Sequence, residues 1–345
     1  MPYCDEIGSE FWDIPLGTGA QPFLFPKNTG FFLSGRSALN FLIEEIQARQ
    51  TFHSVALPSY CCETMIEPFL THGVAVEPYP VVFDETGQLV QMLPQTLHCD
   101  GILVMDYFGY VRQTMLPKYG GVVIRDVTHS LFCGIPSDAD YVFGSLRKWA
   151  GFWTGGYAWS REGAFQMPLP VETNQAYVEL RHQAMREKID YLYGSRPNKH
   201  YLSVFAQAEK LLEKDSHGAS DPRDVEYAKK MDMEFIRARR RENAATLLKV
   251  LSDFALFPKL QNSDCPLFVP IRVTGGKRDE LRKYLIEQKI YCPVHWPVSS
   301  KHSLTEKTRI LYDEELSLIC DQRYGQADMN RMYTTILRFF EQEKL

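Results

Sequence analysis

Four short apolar runs, Ser54–Leu57, Val74–Pro78, Ile102–Met105 and Val122–Ile124, constrain this chain more than any other feature. Each is strand-length, and helical or loop segments separate most of them. Buried runs of this kind alternating with helices predict an α/β domain on a mainly parallel sheet. Ser37–Arg49 supplies one such helix: Leu39, Leu42, Ile43 and Ile46 recur at i, i+3, i+4 and i+7, with Glu44, Glu45 and Gln47 off that stripe. Ser34-Gly35-Arg36-Ser37 furnishes its start. The runs lead into polar or aromatic residues: Pro58-Ser59-Tyr60, Asp106-Tyr107-Phe108-Gly109 and Arg125-Asp126-Val127-Thr128-His129. In open α/β sheets ligand chemistry gathers at the carboxyl ends of the strands, so these segments are the place to look for a site.

The rest of the chain reads differently. Residues 1–34 are rich in Gly, Pro and Phe and show no period. Asp221–Leu251 reads as helical and highly charged. Its basic run Arg237–Arg241 is taken as a solvated helix face or a subunit contact, because 38 basic against 43 acidic residues leave a net charge of −5 and no global attraction for nucleic acid or anionic membrane. Phe268–Val273 reads as a strand and Asp279–Ile290 as a helix. Asp328–Gln342 is a second helix, with Met329, Met332, Tyr333, Ile336, Leu337 and Phe340 on one stripe. A length of 345 residues suits two domains, a large one over residues 1–235 and a smaller C-terminal α+β one over residues 236–345. At 45 % hydrophobic and 23 % charged residues the composition is that of a globular protein, which excludes disorder and collagen-like repeats. No apolar run reaches membrane-spanning length, and Met1–Gly8 lacks the basic start of a secretory signal. Eight cysteines without a Cys-x-x-Cys pair point to reduced thiols in the cytoplasm and to no metal site.

Three features in the sheet-bearing half carry chemistry. Ser34-Gly35-Arg36-Ser37 opens a helix, where free N–H groups, a hydroxyl and the helix dipole make a phosphate seat. Asp126 closes an apolar run and His129 follows it. Ser145-Leu146-Arg147-Lys148 then precedes the pair Gly155-Gly156. Taken singly, these are a helix cap, a turn carboxylate and a surface lysine. In this order they are what pyridoxal phosphate (PLP) needs: a Schiff-base lysine, a carboxylate opposing the pyridine nitrogen and an anchor for the phosphate.

The same residues resemble the DegT/DnrJ/EryC1/StrS family of fold-type-I, PLP-dependent aminotransferases. Gly35-Arg36-Ser37-Ala38-Leu39 resembles its Gly-Thr-x-Ala-Leu segment, and Pro58-Ser59-Tyr60-Cys61-Cys62 its Pro-Ser-Tyr-Thr-Phe strand end. Asp126-Val127-Thr128-His129 resembles Glu-Asp-x-x-His, and Ser145-Leu146-Arg147-Lys148 resembles Ser-x-x-Lys. Tyr291–Pro297 and Leu316–Tyr324 resemble two small-domain segments, so the likeness spans residues 30 to 340. The resemblance implies a fold-type-I PLP fold and sugar biosynthesis. It implies transfer of an amino group from an amino acid such as glutamate to a keto or aldehyde acceptor, with a nucleotide-linked keto-sugar as one candidate. Lys148 would bind the cofactor covalently and shuttle the proton, Asp126 would pair with the ring nitrogen, and His129 would lie near the ring. Ser37, Ser145 and the Arg36–Ser37 amides would bind the phosphate, with the Arg36 side chain a second candidate. A homodimer with shared active sites would place Asn198 and Lys199 near the partner's site.

Three places depart from the family, the first being Arg36 in place of its usual phosphate-binding Thr. Cys62 stands where an aromatic ring usually stacks on the cofactor, so either the thiol packs there or Tyr60 supplies the ring. Trp153-Thr154-Gly155-Gly156 replaces Gly-Glu-Gly-Gly. His295 and Arg323 are candidates for the substrate side, Arg323 as a bidentate carboxylate partner. The alternatives are another PLP reaction through a Cα carbanion, and a non-catalytic regulatory or assembly protein on the same fold. A nicotinamide dehydrogenase lacks its Gly-x-Gly-x-x-Gly here.

Overall fold

The structure, a computed structural model, describes residues 5–17, 25–111 and 116–342; Cys4 and its redox state lie outside them. In chain order the first half carries β1 (Ile7–Gly8), β2 (Gly30–Phe32), α1 (Gly35–Arg49), β3 (Ser54–Pro58), α2 (Glu63–Thr71), β4 (Ala75–Tyr79), β5 (Val81–Phe83), β6 (Leu89–Gln91), β7 (Gly101–Met105), β8 (Val122–Asp126), β9 (Tyr141–Ser145) and β10 (Gly156–Ser160). The second half carries α3 (Gln175–Leu192), α4 (Tyr201–Leu212), α5 (Pro222–Lys230), α6 (Met233–Leu251), β11 (Phe268–Arg272), α7 (Arg278–Glu287), β12 (Ile290–Tyr291), α8 (Glu306–Glu314), β13 (Glu315–Ile319) and α9 (Gln326–Gln342).

Seven strands form the main sheet in the order β2-β10-β9-β8-β7-β3-β4. The four apolar runs of the sequence are β3, β4, β7 and β8, all paired in parallel. β9 joins β8 in parallel, and β10 runs antiparallel to both β9 and β2. The sheet is mixed because that one strand reverses. Strands β7, β8, β9 and β10 are buried along their whole length, as expected of a sheet covered on both faces. Helix α1 packs across β2, β9 and β10 and buries Leu39, Leu42, Ile43 and Ile46, the stripe its sequence predicts. Glu45, read as facing away, is instead fully buried. The burial holds because its carboxylate accepts from the Gln166 and Met167 N–H groups and from Arg49.

Asp221–Leu251 is two helices. Asp221 and Asp232 each cap a new helix by accepting a backbone N–H, and Met231 between them is extended. Within α6 the run Arg237–Arg241 is only partly a solvated face. Arg240 is fully buried, donating to Gln322 Oε1 at 2.8 Å and to the Leu267 carbonyl at 3.0 Å, with its guanidinium over the Trp149 ring.

A second apolar core gathers Ala244, Leu247 and Leu251 of α6 with β11, β13, α7 and the α9 stripe Met329, Met332 and Ile336. Ile7 belongs to it as well, because β1 pairs in parallel with β12. The chain therefore starts in the C-terminal lobe before building the main sheet. Every described cysteine is a free thiol, and no described helix is long and apolar enough to cross a membrane.

Candidate active site

The carboxyl ends of β8 and β9 and the start of the reversed strand β10 meet the N-terminus of α1 at one edge of the sheet. They open there onto a cavity of about 800 Å³. That volume suits a small-molecule site. Its wall carries Ser34, Arg36, Cys62, Asp126, His129, Ser145 and Lys148, so residues up to 114 positions apart in sequence meet there.

Ser34 caps α1: its hydroxyl accepts the Ser37 N–H at 3.1 Å and its carbonyl the Ala38 N–H at 3.0 Å. Helix geometry leaves the Gly35 and Arg36 N–H groups for an anion. Close packing with the lysine-bearing strand fixes the seat in place. A Cβ on Gly156 would fall 1.9 Å from the Ser34 carbonyl oxygen, and one on Gly35 would fall 3.4 Å from Ser145 Cβ. Ser37 itself is fully buried and absent from the cavity wall, its N–H and hydroxyl both engaged by Ser34. Of the hydroxyls around this seat, the residues on the cavity wall are Ser34 and Ser145. Among the described residues the Arg36 guanidinium has no carboxylate partner.

Asp126 ends β8 and is buried, one oxygen accepting the Thr128 N–H at 2.7 Å. Burial outweighs those hydrogen bonds and pushes its carboxyl up to about 6. Among the described residues no cation ion-pairs with it. A buried carboxylate facing a cavity without a paired cation is the complement of a protonated ring nitrogen. Lys148 lies at the end of a short 3₁₀ turn after β9, its side chain exposed to the cavity. No described residue hydrogen-bonds or ion-pairs its amine. A phosphate seat, an unpaired buried carboxylate and a free lysine around one cavity fit pyridoxal phosphate.

His129 Nδ1 accepts the Phe108 N–H at 3.3 Å, so Nε2 carries the proton of the neutral ring. Burial, with His295 and Lys148 nearby, drives its pKa well below the ordinary value. Trp296 stacks on it, centroids 5.8 Å apart and planes 23° apart, and also lines the cavity. Tyr60 is buried off the cavity, packed among Tyr107, Trp296 and Tyr312. Of the two positions weighed for the cofactor ring, only Cys62 reaches the wall. Its Sγ lies 3.0 Å from Thr64 Oγ1, and burial raises its thiol pKa.

His295 sits behind Trp296 and off the wall, its Nδ1 2.8 Å from Ser317 Oγ and its pKa pushed by burial to about 3. Arg323 does line the cavity, but Asp321 already occupies its fork at 2.9 and 2.8 Å. Its third nitrogen, Nη1, donates to the Ser9 and Glu10 carbonyls. Lys199 reaches the wall of its own chain, held by Glu6 at 2.5 Å and the Tyr291 hydroxyl at 2.9 Å, whereas Asn198 is exposed.

Among the wall residues that sequence reasoning missed are Glu10, Trp296 and Arg240. Partial burial of Glu10 works against its charge, but Arg181, Arg147, Lys148 and Lys188 outweigh it and hold the carboxylate at about 2. The segment around Glu10 has no period. Arg240 was hidden in a run of four arginines, where only helical phase separates the buried member from its neighbours.

The sheet order, the reversed strand and a lysine turn beside a helix N-terminus define the fold of the type-I PLP-dependent aminotransferases. Solved structures of that class match over nearly the whole chain. The aminotransferase PseC of Helicobacter pylori, involved in the biosynthesis of pseudoaminic acid, has a TM-score of 0.63 at 14 % identity, covering 97 % of this chain and 100 % of its own. A DegT DnrJ EryC1 StrS aminotransferase from Brucella abortus gives 0.57 at 16 %, covering 90 % and 85 %. Spr1654 of Streptococcus pneumoniae, solved in PMP and PLP forms, gives 0.61 at 14 % for the PMP form, covering 98 % and 100 %. No family model matches the chain, and no curated protein matches it in sequence.

Proposed function

We propose that this chain is a PLP-dependent aminotransferase of the DegT/DnrJ/EryC1/StrS kind. The observation that carries the reading is the free Lys148 amine sharing one cavity with the buried, unpaired Asp126 and the capped N-terminus of α1. When bound, pyridoxal phosphate supplies an electron sink for the pair left at a substrate's Cα. Gly35 and Arg36 bind its phosphate with backbone N–H groups, the Arg36 side chain adds charge, and the Ser34 and Ser145 hydroxyls complete the seat. Asp126 keeps a proton on the ring nitrogen. Lys148 would be the amine that holds the cofactor, and its Nζ would carry a proton to and from the substrate carbon. The stacked His129–Trp296 pair walls off water on one side.

The donor on this reading is an amino acid such as glutamate, and the acceptor is a keto or aldehyde compound. Arg147 and Lys199 on the wall are already paired with Glu209 and Glu6, but Arg282 has no carboxylate partner among the described residues and favours an anionic acceptor, a nucleotide-linked keto-sugar above all. Solved structures named as sugar aminotransferases, CalS13 of Micromonospora echinospora and Spr1654 among them, support the same choice. The reading further holds that the chain works in the cytoplasm, which its free thiols suit. It also holds that two copies pair with the exposed loop carrying Asn198 at their contact.

The test is the visible spectrum of the full chain with added pyridoxal phosphate, beside Lys148→Ala. An absorption band that needs Lys148 and is bleached by glutamate or another amino acid is the expected result. A band that no amino acid bleaches would overturn the transamination, and no lysine-dependent band would overturn the cofactor.

A further inference from the structure

Helix α1 has a polar stripe outside the cavity, Asn40, Glu44 and Gln47 at i, i+4 and i+7. Glu44 Oε1 there meets two imidazoles from other elements. His72, the residue that ends α2, brings Nε2 to 3.2 Å, and His217, in the loop between α4 and α5, brings Nε2 to 2.9 Å. Among the described residues this is the one group of three metal-ligating side chains whose donor atoms all lie within 4.8 Å of one another.

The stripe also fixes the backbone that carries each histidine. Gln47 donates to the His72 carbonyl at 3.1 Å, and Asn40 to the Ser216 carbonyl at 3.4 Å. His72 Nδ1 lies 2.8 Å from the Pro68 carbonyl, which can only accept, so Nδ1 carries a proton. In the neutral ring Nε2 then aims a lone pair at a carboxylate oxygen, and two acceptors at 3.2 Å need a cation between them. Outer-shell hydrogen bonds of this kind orient metal-binding histidines.

We propose that Glu44, His72 and His217 bind a divalent transition cation of the zinc class. Metal–nitrogen bonds of about 2.0–2.1 Å in a tetrahedron put ligand atoms about 3.3 Å apart, close to the two spacings from Glu44, 3.2 and 2.9 Å. Two imidazoles and a carboxylate suit zinc and exclude magnesium or calcium, which take oxygen ligands. His217 is more than half exposed, so the fourth position is open to water. The cation clamps the loop at residues 213–220 to α1. That loop accepts the Leu33 N–H through the Gly218 carbonyl at 2.7 Å, next to Ser34 of the phosphate seat. The site is independent of the aminotransferase reading.

The experiment uses chelator-treated full-length protein titrated with Zn²⁺ by calorimetry, with Co²⁺ as the spectroscopic probe. One equivalent bound, a visible d–d band of tetrahedral Co²⁺ and a rise in Tm of several degrees are expected. H217A, at an exposed position that leaves folding intact, weakens binding at least tenfold and abolishes the band, and E44Q does the same. Undiminished binding in both variants would place the metal elsewhere, on the thiols for instance, and overturn the site. No binding, with His72 protonated against Glu44 as a plain ion pair, would overturn it equally.

Discussion

Asp126 costs the protein stability whenever the cavity holds no cation to meet it. Burial raises its pKa from an ordinary 3.8 to about 6 in the folded chain. The folded state therefore holds this proton more tightly than the unfolded one. The associated stabilisation is full below pH 4 and is lost as pH rises through 6, a swing of about 3 kcal/mol. Asp126→Asn keeps an acceptor for the Thr128 N–H and removes the charge. Cofactor-free Asp126→Asn should be more stable than wild type by about 2–3 kcal/mol at pH 8 and gain nothing at pH 4, measured by urea unfolding at both values. An equal difference at both pH values would show that the carboxylate is not held in this way. The sequence could mark Asp126 and His129 because they close a recognisable apolar run, and Ser145 and Lys148 through their spacing and their place before a Gly pair. It could not separate Ser34 from Ser37, since which hydroxyl caps and which faces the cavity depends on one turn of helix. Nor could it place Tyr60, whose ring is drawn inward by Tyr107 and Tyr312.

At the level of elements, what organises the site is the close approach of β10 to the cap of α1. Gly156→Ala would drive a Cβ to 1.9 Å from a backbone oxygen that has no flexible side chain to yield. A loss of about 2–4 kcal/mol is expected by urea unfolding, and an unchanged midpoint would show that the two elements do not touch. β3, β7 and β8 were legible as apolar runs because three or more apolar residues follow one another in each, whereas β4, broken by Glu77, is an edge strand and mostly exposed. β9 and β10 were not, although they are as deeply buried. Tyr141-Val142-Phe143-Gly144-Ser145 and Gly156-Tyr157-Ala158-Trp159-Ser160 mix aromatics with glycine, a texture shared with loops. Their glycines serve close packing: a Cβ on Gly144 would meet the Tyr157 hydroxyl at 2.3 Å. The two-residue strands β1 and β12 carry no period at all and form because each finds the other.

On the scale of the whole molecule, Arg323 ties the C-terminal lobe to the opening segment of the chain. Its fork is locked by Asp321, it donates to the Ser9 and Glu10 carbonyls, and its guanidinium lies over the Phe11 ring at 4.0 Å. Arg323→Met should release residues 9–12 and speed chymotryptic cleavage at Phe11 and Trp12 at least about tenfold, with the rest of the chain resisting as before. Unchanged cleavage would mean that the segment is held by other contacts. Nothing in the sequence could show that β1 packs in the second apolar core, because its pairing joins residues 7 and 290. This arrangement has a consequence for synthesis. Ile7 leaves the ribosome long before its partner Ile290, with the whole main sheet synthesised between them. At about 5–20 residues per second the opening strand waits roughly 15–60 s for its neighbour. The main sheet can form during that interval, so a ribosome stalled before β12 would carry a folded main sheet with β1 still unpaired.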